Sequence, residues 1–129
     1  MRTLVDTHAM VWFALADTKL SSLWRSILAD SANEILVSPA SYWEIAIKVH
    51  LGKWQLAVPY SDLIDSLWST YGFRILPILP SHTENLIRMP NHHNDPFDRL
   101  LIAQAMAEGL PIVSVDSIFD QYPVSRLWS

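Results

Sequence analysis

A chain of 129 residues carrying a formal net charge of −4, no cysteine and 50% hydrophobic residues is bounded in several directions at once. The length suits one domain over 1–129, since single domains commonly run about 100 to 150 residues, and the acidic balance is the wrong sign for gripping nucleic acid by bulk electrostatics. Lack of cysteine excludes disulfides, thiolate zinc sites and cysteine nucleophiles, so any metal must be held by oxygen or imidazole.

No apolar run approaches the roughly 20 residues of a membrane span. The start MRTLVDTHAM lacks the charged-then-apolar layout of a signal peptide, so a soluble, cytoplasmic protein without a membrane partner is expected. Six tryptophans, Trp12, Trp24, Trp43, Trp54, Trp68 and Trp128, exceed what so small a core needs and point to an interface or pocket rim.

In chain order, Arg2 to Val5 is a short strand, and Asp6-Thr7-His8 opens an apolar segment to Leu15 with an N-cap-type residue. A helix is expected over Ser21 to Ser31 with Leu23, Trp24, Ile27 and Leu28 as its core face, then a buried strand at Glu34 to Val37. Ser38-Pro39 pairs an N-cap with proline at N1, starting a largely buried helix that runs to about His50 and stops at Gly52.

Ser61 starts another helix, with Leu63, Ile64, Leu67, Trp68 and Tyr71 on one face and Gly72 past its end. Phe73 to Leu79 reads as a strand that Pro77 makes short or places at an edge, because proline removes a ladder donor. Ser81 and Glu84 make a capping box for a helix ending near Met89. Asp95 opens a helix ending at Glu108-Gly109, followed by strands at Pro111 to Val115 and Val124 to Trp128. Alternating strands and helices imply an α/β fold with a mainly parallel central sheet covered on both faces.

Ligands of such sheets bind beyond the carboxyl ends of the strands. Asp6 and Asp116 directly follow strands and can share that edge, although an N-cap and a turn are their ordinary uses. Asp98 sits at N3, favoured by the free backbone donors there, yet Leu101, Ile102 and Ala105 place it on the buried face. Ser41, Glu44 and Lys48 form a polar stripe on an otherwise apolar helix; it is either a solvated edge with an i,i+4 ion pair or the wall of a polar cleft.

Four such acids cannot share a pocket without cations, and hard carboxylate oxygens suit magnesium or manganese, which activate water and neutralise phosphoryl oxygens. Setting these four aside, the remaining acids equal the lysines and arginines in number. His92 and His93 are adjacent, so their side chains diverge, and no histidine at helical spacing completes a zinc pair; both read as loop. His8 either lines the site or packs on its helix, and His50 and His82 have ordinary helix-end contexts.

LVDTHAMVW, SPASYWEIAIKVHLGKW, NHHNDPFDRLLIAQAMAEGLPIVSVD and VSRLW together resemble the PIN-domain proteins of the VapC-type toxin group of type II toxin-antitoxin systems, across essentially the whole chain. The resemblance implies a three-layer α/β/α fold and a Mg²⁺- or Mn²⁺-dependent endoribonuclease that leaves 5′-phosphate and 3′-hydroxyl ends. Its acidic quartet falls on Asp6, Glu44, Asp98 and Asp116, the last with Ser114-Val115-Asp116 in place of the usual Thr-x-Asp. Thr7 and Ser114 become donors that orient the carboxylates, and Lys48 and Arg99 become candidates for phosphate contact. The family also implies an RNA substrate, homodimers and a cognate antitoxin, for which Trp12, Trp24, Trp43 and Trp54 would suit as contact surface.

Three other readings use parts of the same pattern. A DNA or structure-specific nuclease would share the acids. A phosphoacceptor domain needs an acidic pair after the first strand and a late lysine, which DTH and SVDS do not supply. A non-catalytic binding module would be indifferent to divalent metal.

Overall fold

The computed structural model describes residues 1–128. Five parallel strands, β1 (Arg2–Val5), β2 (Glu34–Val37), β3 (Arg74–Ile75), β4 (Ile112–Val113) and β5 (Arg126–Leu127), form one sheet in the order β3-β2-β1-β4-β5. The chain builds outward from β1 through β2 to β3, then crosses back to place β4 on the other side of β1, so strand order reverses at β1 and β4. Ligand crevices of open parallel sheets open at such a reversal.

The pleat sends alternate residues to opposite faces. Val5, Ile35, Val37 and Val113 pack under α1 (Thr7–Ala14), α2 (Ser22–Ala29) and α4 (Tyr60–Asp65). Leu4, Leu36 and Ile112 face the other way, onto α6 (Pro96–Glu108) and Met89, which ends α5 (Pro80–Arg88). The result is the three-layer α/β/α arrangement that the alternation implies. Leu101, Ile102 and Ala103 of α6 are at most 0% exposed, and truncating one such leucine would cost about 2–5 kcal/mol. Among the described residues no helix is long and apolar enough to cross a membrane.

Local chemistry explains where elements start and stop. Asp6, Ser21, Ser38 and Asp95 each accept a backbone N–H of the following helix's first turn. Gly109 closes α6 in the left-handed region at φ +64°, where a Cβ would be strained. The strands after β2 are shorter than expected: pairing in β3 ends before Pro77, which lacks the donor to continue it. The carbonyls of Leu76 and Pro77 turn instead to the buried Gln104 amide, at 3.2 and 3.3 Å.

Several sequence expectations need correction. Ser61 caps nothing; α4 starts at Tyr60 and runs into a π turn over Ser66–Thr70. The helix over Pro80–Arg88 is capped by a side chain other than Ser81 or Glu84: Nδ1 of the fully buried His82 accepts the Leu79 N–H at 3.0 Å. On α2, Leu23 is exposed and only Trp24 and Leu28 are buried. Most telling is α3 (Pro39–His50), which buries Ala40, Ser41, Glu44 and Ile45 while Trp43 is 62% exposed. Its polar stripe faces inward.

Candidate active site

The carboxyl edge of β1 and β4 gathers the four acids. Asp6 leaves β1 as the N-cap of α1, its Oδ1 accepting Ala9 N–H at 2.8 Å, and is buried. Burial pushes its carboxyl above the usual range, against the Ser114 hydroxyl and the Ala9 N–H, which favour the ionised form. Asp116 follows β4 as the cap of a 3₁₀ turn over Ser117–Gln121, accepting Ile118 N–H at 3.0 Å, and is exposed. Asp6, Asp98 and Asp116, with His8, Trp12, Asp95 and Val115, line a cleft of about 370 Å³.

Asp98 stands at the centre of the acids. Burial, and then the charges of Asp95, Asp6, Glu44 and Asp116 in that order, push its carboxyl up to about 7. Asp95 is spent on capping, its Oδ1 accepting the N–H groups of Phe97 and Asp98 at 2.9 and 3.2 Å. Glu44 reaches in from α3 at 2% exposure. Its Oε2 accepts from Lys48 Nζ at 2.6 Å, while Oε1 is buried without a partner.

Supporting residues divide differently from expectation. Ser114 lies between two of the acids: its hydroxyl hydrogen-bonds Asp6, and its Oγ accepts Asp116 N–H at 3.0 Å. Thr7 orients no carboxylate; its Oγ1 donates to Ser41 Oγ at 3.0 Å, pinning the start of α1 to α3 one turn before Glu44. Arg99 is turned away from the cleft, and its Nη1 donates to the carbonyls of Pro90 and His93 and to Tyr122 Oη. It braces a loop rather than reaching a phosphate.

His93 is the residue sequence reasoning missed. Tyr122 Oη accepts from His92 N–H and Arg99 Nη1, each at 3.3 Å, so its own proton goes to Nδ1 of His93 at 2.8 Å. With Nδ1 accepting, the ring proton sits on Nε2, which is buried without a partner and lies 3.7 Å from Asp98 Oδ2. Adjacency of His92 and His93 argued against a zinc pair. It did not exclude one imidazole facing a carboxylate, because the contact depends on Tyr122, remote in the chain.

The donor set suits a hard divalent ion. All the acids offer oxygen, an unpartnered buried carboxylate oxygen is available on Glu44, and the mutual repulsion raised on Asp98 is relieved by a cation. Among the described residues no three His, Asp or Glu side chains converge on one point as they stand. Side-chain rotation would therefore accompany the binding of an ion.

Comparison with known proteins identifies the family. Ribonuclease VapC22 of Mycobacterium tuberculosis is 29% identical over 114 residues, spanning 88% of this chain and 85% of the relative. The fold is similar to the crystal structure of VapBC2 from Rickettsia felis bound to a DNA fragment from their promoter, with TM-score 0.75 at 16% identity and 98% of each chain covered. It is also similar to FitAcB from Neisseria gonorrhoeae, with TM-score 0.67 at 17% identity, covering 99% of this chain and 97% of that one. The PIN domain model matches residues 3–124, nearly the full length, and the chain belongs to the PIN domain family.

Proposed function

We propose that this protein is a Mg²⁺- or Mn²⁺-dependent endoribonuclease, the toxin of a type II toxin-antitoxin pair acting in the cytoplasm. The observation that carries the reading is the grouping of Asp6, Asp98 and Asp116 around one cleft with Glu44 close behind; burial, Asp95 and these three neighbours push the Asp98 carboxyl up to about 7. A structural role gives no reason to assemble charges that repel one another; a site for cations and phosphate does. Likeness in sequence to a ribonuclease, over most of both chains, points to RNA as the polymer.

A bound divalent ion supplies an acidified water and neutralises phosphoryl oxygens. The residues would divide the remaining work. Asp6 and Asp98 flank the phosphate from the ends of β1 and the first turn of α6. Glu44 holds the back of the site, its Oε1 free to ligate and its Oε2 anchored by Lys48. Asp116, more exposed, acts at the rim directly or through water, and Ser114 keeps Asp6 and Asp116 in register. His93 presents Nε2–H to Asp98 and limits its rotation.

A homodimer and a cognate antitoxin belong to the same reading, and Trp43, Leu51 and Ile87 supply exposed apolar surface for protein contacts. The test incubates the purified protein with an unstructured RNA and the matching DNA, with Mn²⁺, Mg²⁺ or EDTA. RNA cut only with metal, leaving 5′-phosphates, supports the reading. Equal cleavage of DNA would make it a general nuclease, and no cleavage of either would make it a binding module.

A further inference from the structure

Resting on the ribonuclease reading, we propose that the groove between α1 and the loop after α3 is a subsite for single-stranded RNA flanking the scissile bond. The chain has three lysines, Lys19, Lys48 and Lys53. Two of them line this groove and the third, Lys48, sits beside it over Trp54, in a protein that is otherwise acidic. Lys19 and Lys53 line it with Trp12 and Trp54. Lys19 Nζ lies 5.9 Å from the Trp12 ring centre and Lys48 Nζ 4.7 Å from that of Trp54.

The local fold builds this arrangement at the margin of the core, on which Trp12 and Trp54 pack with one side. Gly52, in the left-handed region at φ +72°, reverses the chain at the end of α3. The Lys48 carbonyl then accepts both Lys53 and Trp54 N–H groups, at 2.9 and 3.2 Å. Trp54 is thereby folded back beneath Lys48. The imidazole of His8 bridges the two indoles, with ring centres 5.9 Å from Trp12 and 5.3 Å from Trp54.

The groove is continuous with the acidic cleft. His8 and Trp12 line both, and Lys48 touches Glu44 on one side and Trp54 on the other. A strand whose scissile phosphate sits among the acids and metal leaves onto a surface that offers aromatic faces for bases and ammonium groups for phosphates. Stacking on such faces needs unpaired bases and tolerates any sequence. A basic peptide entering the acidic cleft along this path would meet the like charges of Lys19 and Lys53, which disfavours a basic peptide as the occupant. Asp17, 4.0 Å from Lys19, is the acid lining the groove and leaves Lys53 unopposed.

The experiment uses the full chain carrying Asp98→Asn, so that RNA stays intact, in Mg²⁺, and follows anisotropy of a labelled oligouridylate. Two variants are compared on that background, Trp54→Leu and the double Lys19→Gln/Lys53→Gln, each checked for an unchanged melting temperature. Affinity should fall roughly tenfold in each. The lysine double should also flatten the dependence on salt, and a duplex of the same length should bind more weakly than the single strand. Unchanged affinity in the lysine double, which alters only exposed side chains, overturns the proposal even if Trp54→Leu fails to fold. So does absence of RNA binding in the Asp98→Asn parent, or loss of a co-expressed partner protein with RNA affinity retained. Cleavage by the unmutated chain is scored separately: RNA cut normally with no groove effect sinks the subsite alone, and a groove effect without any cleavage sinks the nuclease reading alone.

Discussion

His93 Nε2 faces Asp98 Oδ2 at 3.7 Å and has no other partner, because Tyr122 Oη claims the opposite ring nitrogen at 2.8 Å. The separation is just beyond a hydrogen bond, so a small rotation of Asp98 onto a ligand decides whether the bond closes.

Replacing His93 should therefore act on catalysis more than on folding. His93→Ala is expected to lower kcat and weaken half-saturation by Mn²⁺ by roughly 10- to 100-fold, the usual cost of losing a partner that orients a ligand. His93→Gln, whose amide can still donate, should recover part of both. Steady-state cleavage at several Mn²⁺ concentrations separates this from a purely structural loop role, which would leave the metal dependence unmoved.

Metal-free stability should decline as pH rises. Asp98 is held near 7 by burial and neighbouring acids, and burial raises Asp6 as well. In each case the fold favours the protonated form. The contribution is thus fully present below the ordinary carboxylate range and is lost as pH climbs through about 7 for Asp98. In EDTA, denaturant melts should show a loss on the order of 2–4 kcal/mol between acidic and mildly alkaline pH. Asp98→Asn should flatten that slope and be the more stable protein at the alkaline end, the familiar exchange of activity for stability.

Lys48 supplies the counter-charge to Glu44, a carboxylate at 2% exposure. Lys48→Ala leaves that charge uncompensated and should cost roughly 2 kcal/mol, less than a fully buried pair because Lys48 is partly solvated. Adding Mn²⁺ should restore more of the melting temperature in Lys48→Ala than it adds to the unmutated protein. Equal shifts in the two proteins would argue that Glu44 lies outside the metal's reach.

Away from the site, the fully buried His82 joins two helices: Nδ1 accepts Leu79 N–H and Nε2 pairs with Glu108 Oε1 at 3.0 Å. His82→Ala removes the cap of α5 and opens a cavity. A loss of about 2–4 kcal/mol is expected by denaturant unfolding, with kcat per folded molecule unchanged.

Much of the site was legible because local rules place it. Asp6 and Asp116 follow strands, Asp95-Pro96 fixes where α6 begins, and the apolar spacing of Leu101, Ile102 and Ala105 puts Asp98 on the inner side. Glu44 was ambiguous for a physical reason. Helix periodicity says which residues share a face but not which face is inside, and α3 turns its polar stripe in and Trp43 out. Contacts made through the fold were illegible. His93 meets Asp98 only because Tyr122 and Arg99 fix its loop, and Lys19 and Lys53 come to line one groove only once α1 and the turn at Gly52 are packed. Strands β3 to β5 lie where they were expected but were read too long: each pairs over only two residues, and apolar spacing does not show where ladder pairing stops.

The most direct measurement is Mn²⁺-dependent cleavage of unstructured RNA at neutral pH by the unmutated protein and by Asp98→Asn, prepared identically and shown by melting to be folded. Cleavage is expected in the first, abolished by EDTA, and at least about 100-fold slower in the second, because the carboxylate at the centre of the four acids would be gone. A folded Asp98→Asn protein that cleaves at the full rate, with contaminating nuclease excluded, would contradict the assignment of this cleft as the catalytic site.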